Sequence, residues 1–347
     1  MKRTLYCACF LVLLTSFAAA QSYTVTDVGP GGGSGGGRAI NSLGDVAVDN
    51  AGVSYVWTPT HHYLTLTPLA GGTETAVFGI NSHGIVVGES FFSVGYHAAL
   101  WISGKPTDLG TLPGGVLSWA NAVNPSGLIV GAADGTNVGP EAVLWSSAGP
   151  KGLGFLTGGS YSDAYGINRV GQVVGFSDLT GGGYHGFIWS KATGMQDLGT
   201  LPGGGGSSAS AINDSGQVAG GSDCGTACQH AVLWSSVKHS ITDLGVLPGA
   251  SFSSAFGINN HGVVVGSSGY ISNADHAFVW TSTGGMQDLN NLIPQNSGWS
   301  LQYAFAINDN GQIAGFGDLN GQERGFLLTP IAAASLAPAK SKYSGQQ

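Results

Sequence analysis

Ser254-Ala255-Phe256-Gly257-Ile258-Asn259-Asn260-His261-Gly262-Val263-Val264-Val265-Gly266, followed by Asp275-His276-Ala277-Phe278-Val279-Trp280 and Met286-Gln287-Asp288-Leu289, is the stretch that decides the fold. Its apolar runs are brief, rich in Val, Ile and aromatics, and bounded by Gly, Asn and Asp. That pattern predicts short strands over 254–258, 263–266, 277–280 and 286–289. Between the first two, Asn259 suits the first place of a type I turn and Gly262 supplies the positive φ that follows.

The unit returns about every 45 residues along the chain. Its Asn-x-x-Gly turn falls at Asn41/Gly44, Asn81/Gly84, Asn124/Gly127, Asn168/Gly171, Asn213/Gly216, Asn259/Gly262 and Asn308/Gly311, which makes seven copies. A strand ending in Trp57, Trp101, Trp145, Trp189, Trp234 and Trp280, with Leu328 at the last place, is the second anchor. The third is Asp-Leu-Gly-Thr-Leu-Pro-Gly-Gly, clear at Asp108, Asp197 and Asp243, degraded at Asp27 and Asp288, and recognisable around Leu66 and Leu153. Four strands in a repeat of this length point to a β-propeller, because leucine-rich and β-helical solenoids repeat at much shorter intervals.

The chain ends agree. Asp27-Val28-Gly29 precedes any hairpin, and the last copy stops after Phe326-Leu327-Leu328 without an outer strand, so the two incomplete ends make one unit. Residues 23–28 are expected to be the outermost strand of the last blade, closing a ring that exposes no open edge. Length alone would suggest two domains. The periodicity overrides it: residues 21–330 are expected to form one all-β, seven-bladed propeller of four-stranded blades, closed by the N-terminal strand. The strand before each Asn-x-x-Gly turn is expected innermost, since small residues such as Ala209, Ser210, Ala211, Ala304 and Ala306 suit the narrow middle. The His-Ala-Phe-Val-Trp strand then lies third out.

The units Tyr184-His185-Gly186-Phe187-Ile188-Trp189, Asp275-His276-Ala277-Phe278-Val279-Trp280 and Ile212-Asn213-Asp214-Ser215-Gly216-Gln217-Val218 resemble the HAF-repeat family of bacterial extracellular proteins. The resemblance covers roughly residues 23–330. It implies a location and an architecture, and it carries no catalytic residue onto this chain.

Residues 1–20 read as a secretory signal: Lys2 and Arg3, an apolar run over 5–17, then Ala18-Ala19-Ala20. The run is too short to span a membrane. Cys7 and Cys9 lie inside it and would leave with it. The formal charge of −8 becomes more negative once Lys2 and Arg3 are removed, which argues against a nucleic-acid partner, whose phosphates demand basic contacts. Cys224 and Cys228, in Ser222-Asp223-Cys224-Gly225-Thr226-Ala227-Cys228, are expected to form a local disulfide, with free thiols and then a metal site as the alternatives. Residues 331–347, rich in Ala, Ser, Lys and Gln, read as a disordered tail.

His97, His185, His230 and His276 share one repeat position, where the other copies hold Val53, Glu141 and Arg324. Adjacent copies of that position should lie more than about 10 Å apart, too far to share a zinc ion. A structural imidazole bonded to a backbone group is therefore expected. The recurrent Trp residues are expected to pack between blades, each indole N–H finding a partner. Trp119 and Trp299, which fall outside the repeat position, and the Phe91-Phe92 pair are candidate sugar-stacking groups. Asp134, Asp178, Asp223, Asp275 and Asp318 recur between second and third strands, on the face of the Pro-Gly-Gly connections. They are candidate binding groups if they are not simply turn formers. Asp318-Leu319-Asn320-Gly321 lacks the spaced ligands of a calcium loop.

No catalytic residue is assigned. Glycoside hydrolysis needs two carboxylates across a substrate, serine chemistry needs a positioned base, and the glycine run over 29–37 lacks the Lys and helix of a phosphate loop. The expectation is an exported, monomeric binding or scaffold module for an extracellular glycan or protein, secreted or periplasmic, with no cofactor, metal, nucleic acid or membrane span. The alternative is a polysaccharide hydrolase or lyase with a carboxylate site at the channel mouth. Convergent carboxylates would favour the enzyme, and an open aromatic platform the glycan binder.

Overall fold

A computed structural model of the chain describes residues 22–31, 35–60, 63–136, 139–235, 240–270 and 273–331. Residues 1–20, expected to be a leader, and residues 332–347 of the expected tail lie outside the described residues. Seven four-stranded antiparallel sheets form the blades of a seven-bladed propeller. Six blades are contiguous in sequence. In the seventh, Tyr23–Pro30 pairs with Gln322–Pro330 as the outermost strand, in the register Tyr23↔Pro330 to Pro30↔Arg324. The only helical turn among the described residues is a 3-10 segment at Leu289–Asn291.

In the sixth blade the strands are Phe252–Ile258, Val264–Tyr270, Asn273–Thr281 and Gly285–Asp288. The second and third extend beyond the expected bounds toward the loop face, where Ser253 pairs with Ser268 and Phe252 with Gly269. Such serine- and glycine-rich ladder positions carry no apolar alternation, so the strand is hidden there in sequence. The His-Ala-Phe strand is third out, as expected.

Every innermost strand carries a β-bulge at the same place. The register slips past Arg38, Phe78, Asn121, Tyr165, Ser210, Phe256 and Phe305, one in each blade at this place, and the seventh blade slips a second time past Gln302. A bulge leaves one residue out of the ladder and re-aims its side chain. Here it also explains the recurrent glycine of the second strand. A Cβ added at Gly88, Gly131, Gly175, Gly220, Gly266 or Gly315 would collide with the innermost-strand carbonyl of Ala76, Trp119, Asp163, Ser208, Ser254 or Tyr303.

The turn asparagines do more than start a turn. Asn213 Oδ1 accepts from the N–H of Ser215 and Gln217 at 3.1 and 2.9 Å, while its Nδ2 donates to the Asn259 carbonyl of the next blade at 3.1 Å. The cross-blade bond recurs at each blade junction, and the asparagines are buried. Gly262 adopts φ 73°, as the turn requires.

Higher in the seams, serine hydroxyls of one blade's inner strand accept third-strand N–H groups of the blade before. Examples are Ser118 from Ala98 at 2.9 Å and Ser162 from Ala142 at 2.8 Å. Seven apolar clusters fill the seams. Trp101 packs in one and donates to the Thr67 carbonyl at 2.7 Å. The indole nitrogens of Trp145 and Trp234 are buried without a hydrogen-bond partner, against the expectation for that position. Both lie in apolar seams formed with neighbouring third-strand and connection residues.

The repeat-position histidines also depart from the expectation of a backbone partner. Their partner is a carboxylate, the Asp of Asp-Leu-Gly, not a backbone group. His97 meets Asp108 at 2.9 Å, His185 meets Asp197 at 2.8 Å, His230 meets Asp243 at 2.9 Å and His276 meets Asp288 at 2.7 Å. The same carboxylates accept from the N–H two residues on, as in Asp108 to Gly110 at 2.8 Å. Strand pairing puts His and Asp on a diagonal between the third and outermost strands, which linear spacing does not reveal. In the seventh blade Arg324 and Asp27 take the two places, 3.7 Å apart. In the third, Gly152 stands where Asp would, and Glu141 reaches across to accept from Gly154 N–H at 2.7 Å.

Candidate functional site

The propeller axis holds a chamber of about 710 Å³. All seven bulge residues line it, so the displacement that breaks each ladder also aims one side chain per blade inward. The result is a crown of four aromatics, Phe78, Tyr165, Phe256 and Phe305, with Arg38, Asn121 and Ser210 between them. Below it Ile80, Val123, Ile167, Ile212, Ile258 and Ile307 form an aliphatic ring shared with a second space of about 280 Å³ at the asparagine turns. A side slot between the fifth and sixth blades adds Ser208, Gln229 and Ser254.

The crown is held from behind. Asn121 Nδ2 donates to Asp163 Oδ1 and to the Ala164 carbonyl, each at 2.9 Å, and Trp119 Nε1 donates to Asp163 Oδ2 at 2.9 Å. Asp163 is 4% exposed. Burial pushes its carboxyl up to about 7, with the bonds from Trp119 and Asn121 pulling the other way. Glu89 is also raised to about 7, by burial and then by the charges of Asp49 and Asp163.

Arg38 places its guanidinium 4.8 Å from the Phe305 ring centroid, a cation–π contact. Its Nε is buried and bonds no protein atom. Burial lowers this guanidinium, with Asp49 opposing, and burial raises Asp49, with Arg38 opposing. Phe305 also stacks on Tyr303 with centroids 5.8 Å apart and planes at 6°, and meets Phe256 at 5.7 Å. Tyr165 packs on Phe176 at 5.7 Å yet keeps 36% of its surface exposed.

The loop carboxylates do not converge on this chamber. Asp134 accepts from Val116 and Leu117 N–H, both at 2.7 Å, and Asp178 accepts from Ser160 and Tyr161 at 2.7 and 2.8 Å. These bonds tie the carboxylate loops to the Pro-Gly-Gly side, the face on which they were expected. Burial raises Asp178, but its hydrogen bonds from Tyr161 and Ser160 outweigh that and lower it overall. Asp318 accepts from Gly321 N–H at 2.6 Å. Asp275 lies near the Tyr303 phenol, which burial first and then this carboxylate push upward. Asp223 sits beside Gly206 and borders a separate cleft near Cys228. Trp119 packs edge-on to Tyr96 at 5.8 Å, and Trp299 packs edge-on to Phe326 at 6.1 Å. Phe91 and Phe92 contact Tyr96 and His97. Cys224 and Cys228 are disulfide-bonded, their Cα atoms 5.2 Å apart.

Arg38, Phe78, Asn121, Tyr165, Phe256, Phe305 and Asp163 were not singled out from sequence. A signal was present: each crown residue stands three before the turn Asn, and the seven copies differ there while their neighbours repeat.

No family model matches the chain, and no curated protein matches its sequence. Solved structures share its fold. A selenomethionine form of virginiamycin B lyase from Staphylococcus aureus superposes with a TM-score of 0.56 at 11% identity, covering 89% of this chain and 100% of that one. A catalytically inactive form of that lyase with quinupristin gives 0.54 at 11% identity, covering 89% and 100%. A puromycin-hydrolyzing peptidase from Mycobacterium tuberculosis gives 0.52 at 11% identity, covering 84% of this chain and 53% of that one. At such identity the likeness is one of fold.

Proposed function

We propose that the chain is an exported, monomeric binding propeller that holds a glycan in its central chamber. The observation that carries this is the crown. Aromatic rings offer apolar faces to a sugar, while Asn121, Ser210 and Arg38 offer hydrogen bonds to its hydroxyls. Among the described residues lining the chamber there is no Asp or Glu, which supports binding over carboxylate-based hydrolysis or elimination. Export is supported by the signal-like residues 1–20 and by the disulfide. Membership of the HAF-repeat family rests on the quoted repeat units. Among the described residues no helix is long and apolar enough to cross a membrane.

The test is binding of the purified chain to an array of bacterial and plant polysaccharides, with released sugar assayed in the same wells. Retention without product is expected, weakened at least about tenfold by Tyr165→Ala or Asn121→Ala. Product would establish the hydrolase or lyase alternative. Retention unaffected by both substitutions would move the site off the chamber, and no retention would turn the search to a protein partner.

A further inference from the structure

We infer that the Cys224–Cys228 disulfide is exchange-active, accepting electrons from a dithiol substrate through Cys228. The cysteines close the hairpin tip between the second and third strands of the fifth blade, where Gly225 pairs with Cys228. Cys228 Sγ lies 3.7 Å from His230 Nε2. The other ring nitrogen, Nδ1, meets both Asp243 oxygens at 2.9 Å. With Nδ1–H donated to the carboxylate, the Nε2 lone pair faces the sulfur. This is the orienter, base and nucleophile order by which a thiol is activated. Three other blades carry the same His–Asp pair, so the repeat supplies the base and this blade adds the sulfur.

The two sulfurs differ in access. Cys228 borders a cleft of about 310 Å³ with Asp223, Gln229 and Phe252. Cys224 packs against the apolar seam that contains Leu201 and Trp234. Cys228 is therefore the exchanging sulfur and Cys224 the resolving one.

A substrate thiolate attacks Cys228 Sγ; the S–S bond breaks, and Cys224 leaves with the electron pair and takes up a proton. The second substrate thiolate then attacks the substrate sulfur of the mixed disulfide. Cys228 leaves as a thiolate, with a proton held on His230 Nε2. Two electrons and two protons pass from the dithiol to the protein, and the substrate ends as a disulfide. His230 touches the reacting sulfur; Asp243 is a positioning residue.

The probe is dithiothreitol on the folded chain without denaturant, followed by iodoacetamide alkylation of the reduced form across pH. The chain is expected to reduce while folded, and at neutral pH its Cys228 should alkylate about tenfold faster than in His230→Ala. The wild-type pH profile should be displaced to lower pH, with Asp243→Asn intermediate. His185→Ala, which removes an equivalent imidazole from a different blade, should leave the profile unchanged. Resistance to reduction in the folded state, or coincident wild-type and His230→Ala profiles, overturns the proposal. If His230→Ala does not fold, the wild-type profile decides alone: Cys228 alkylating with the pH profile of an unperturbed cysteine overturns it.

Discussion

Asn308 Nδ2 donates to the Asn41 carbonyl at 3.0 Å, joining residues 267 apart in sequence. This bond completes the circle of asparagine contacts at the narrow end of the channel, so the ring closes twice: there through side chains, and at the rim through Tyr23–Pro30. Each Asn links the turn of its own blade to the next, which makes blade spacing a property of buried hydrogen bonds as well as of packing.

Asn213→Ala should cost about 2–3 kcal/mol, because it takes the acceptor from the Ser215 and Gln217 N–H groups together and leaves the buried Asn259 carbonyl with Gly262 N–H as its one remaining donor of the two. Urea denaturation measures it. A midpoint matching the wild type would mean that the circle contributes nothing.

Removing residues 21–29 opens the seventh blade and exposes the Gln322–Pro330 edge. The melting temperature should fall by more than about 10 °C, with increased aggregation. An unchanged melting temperature would rule out closure by this strand.

His185→Ala should cost no more than about 1 kcal/mol, since the pair it breaks is partly solvated. Asp197→Ala should cost more, as it also frees Gly199 N–H, bonded at 2.7 Å. Equal losses in denaturant melts would show that the cap to Gly199 is immaterial.

Gly175→Ala drives a methyl group into the Asp163 carbonyl and so displaces the strand that aims Tyr165. A loss of about 1–3 kcal/mol is expected together with weaker ligand retention. A fully stable variant with intact retention would show that the strands part without disturbing the crown.

Asp163 and Glu89, both raised to about 7, are carboxyls that the fold prefers to keep protonated. Between the ordinary carboxylate range and about 7 the native state binds more protons than the unfolded chain, so their contribution to stability falls as pH rises through that window and levels off above it. Asp163→Asn should flatten this slope in denaturation midpoints taken from pH 5 to pH 8. A slope that the substitution leaves intact would assign it to other groups.

The blade count, the four strands per blade, the closing strand and the local disulfide were all legible from the sequence. Each rests on a period or a turn whose chemistry is local: Asn259 and Gly262 form the same turn wherever the blade sits. The histidine partner was not legible, because His185 and Asp197 meet across a strand pair. Nor was the chamber. The bulge adds one residue to each inner strand and interrupts side-chain alternation, so counting along Ser162–Ile167 does not reveal that Tyr165 faces the axis. Asp163 reads as one more polar residue until the third blade covers it with Trp119 and Asn121. Repetition by itself determined the ring; only tertiary structure decided which seven side chains meet at its centre, because that depends on backbone irregularity and on burial by other blades.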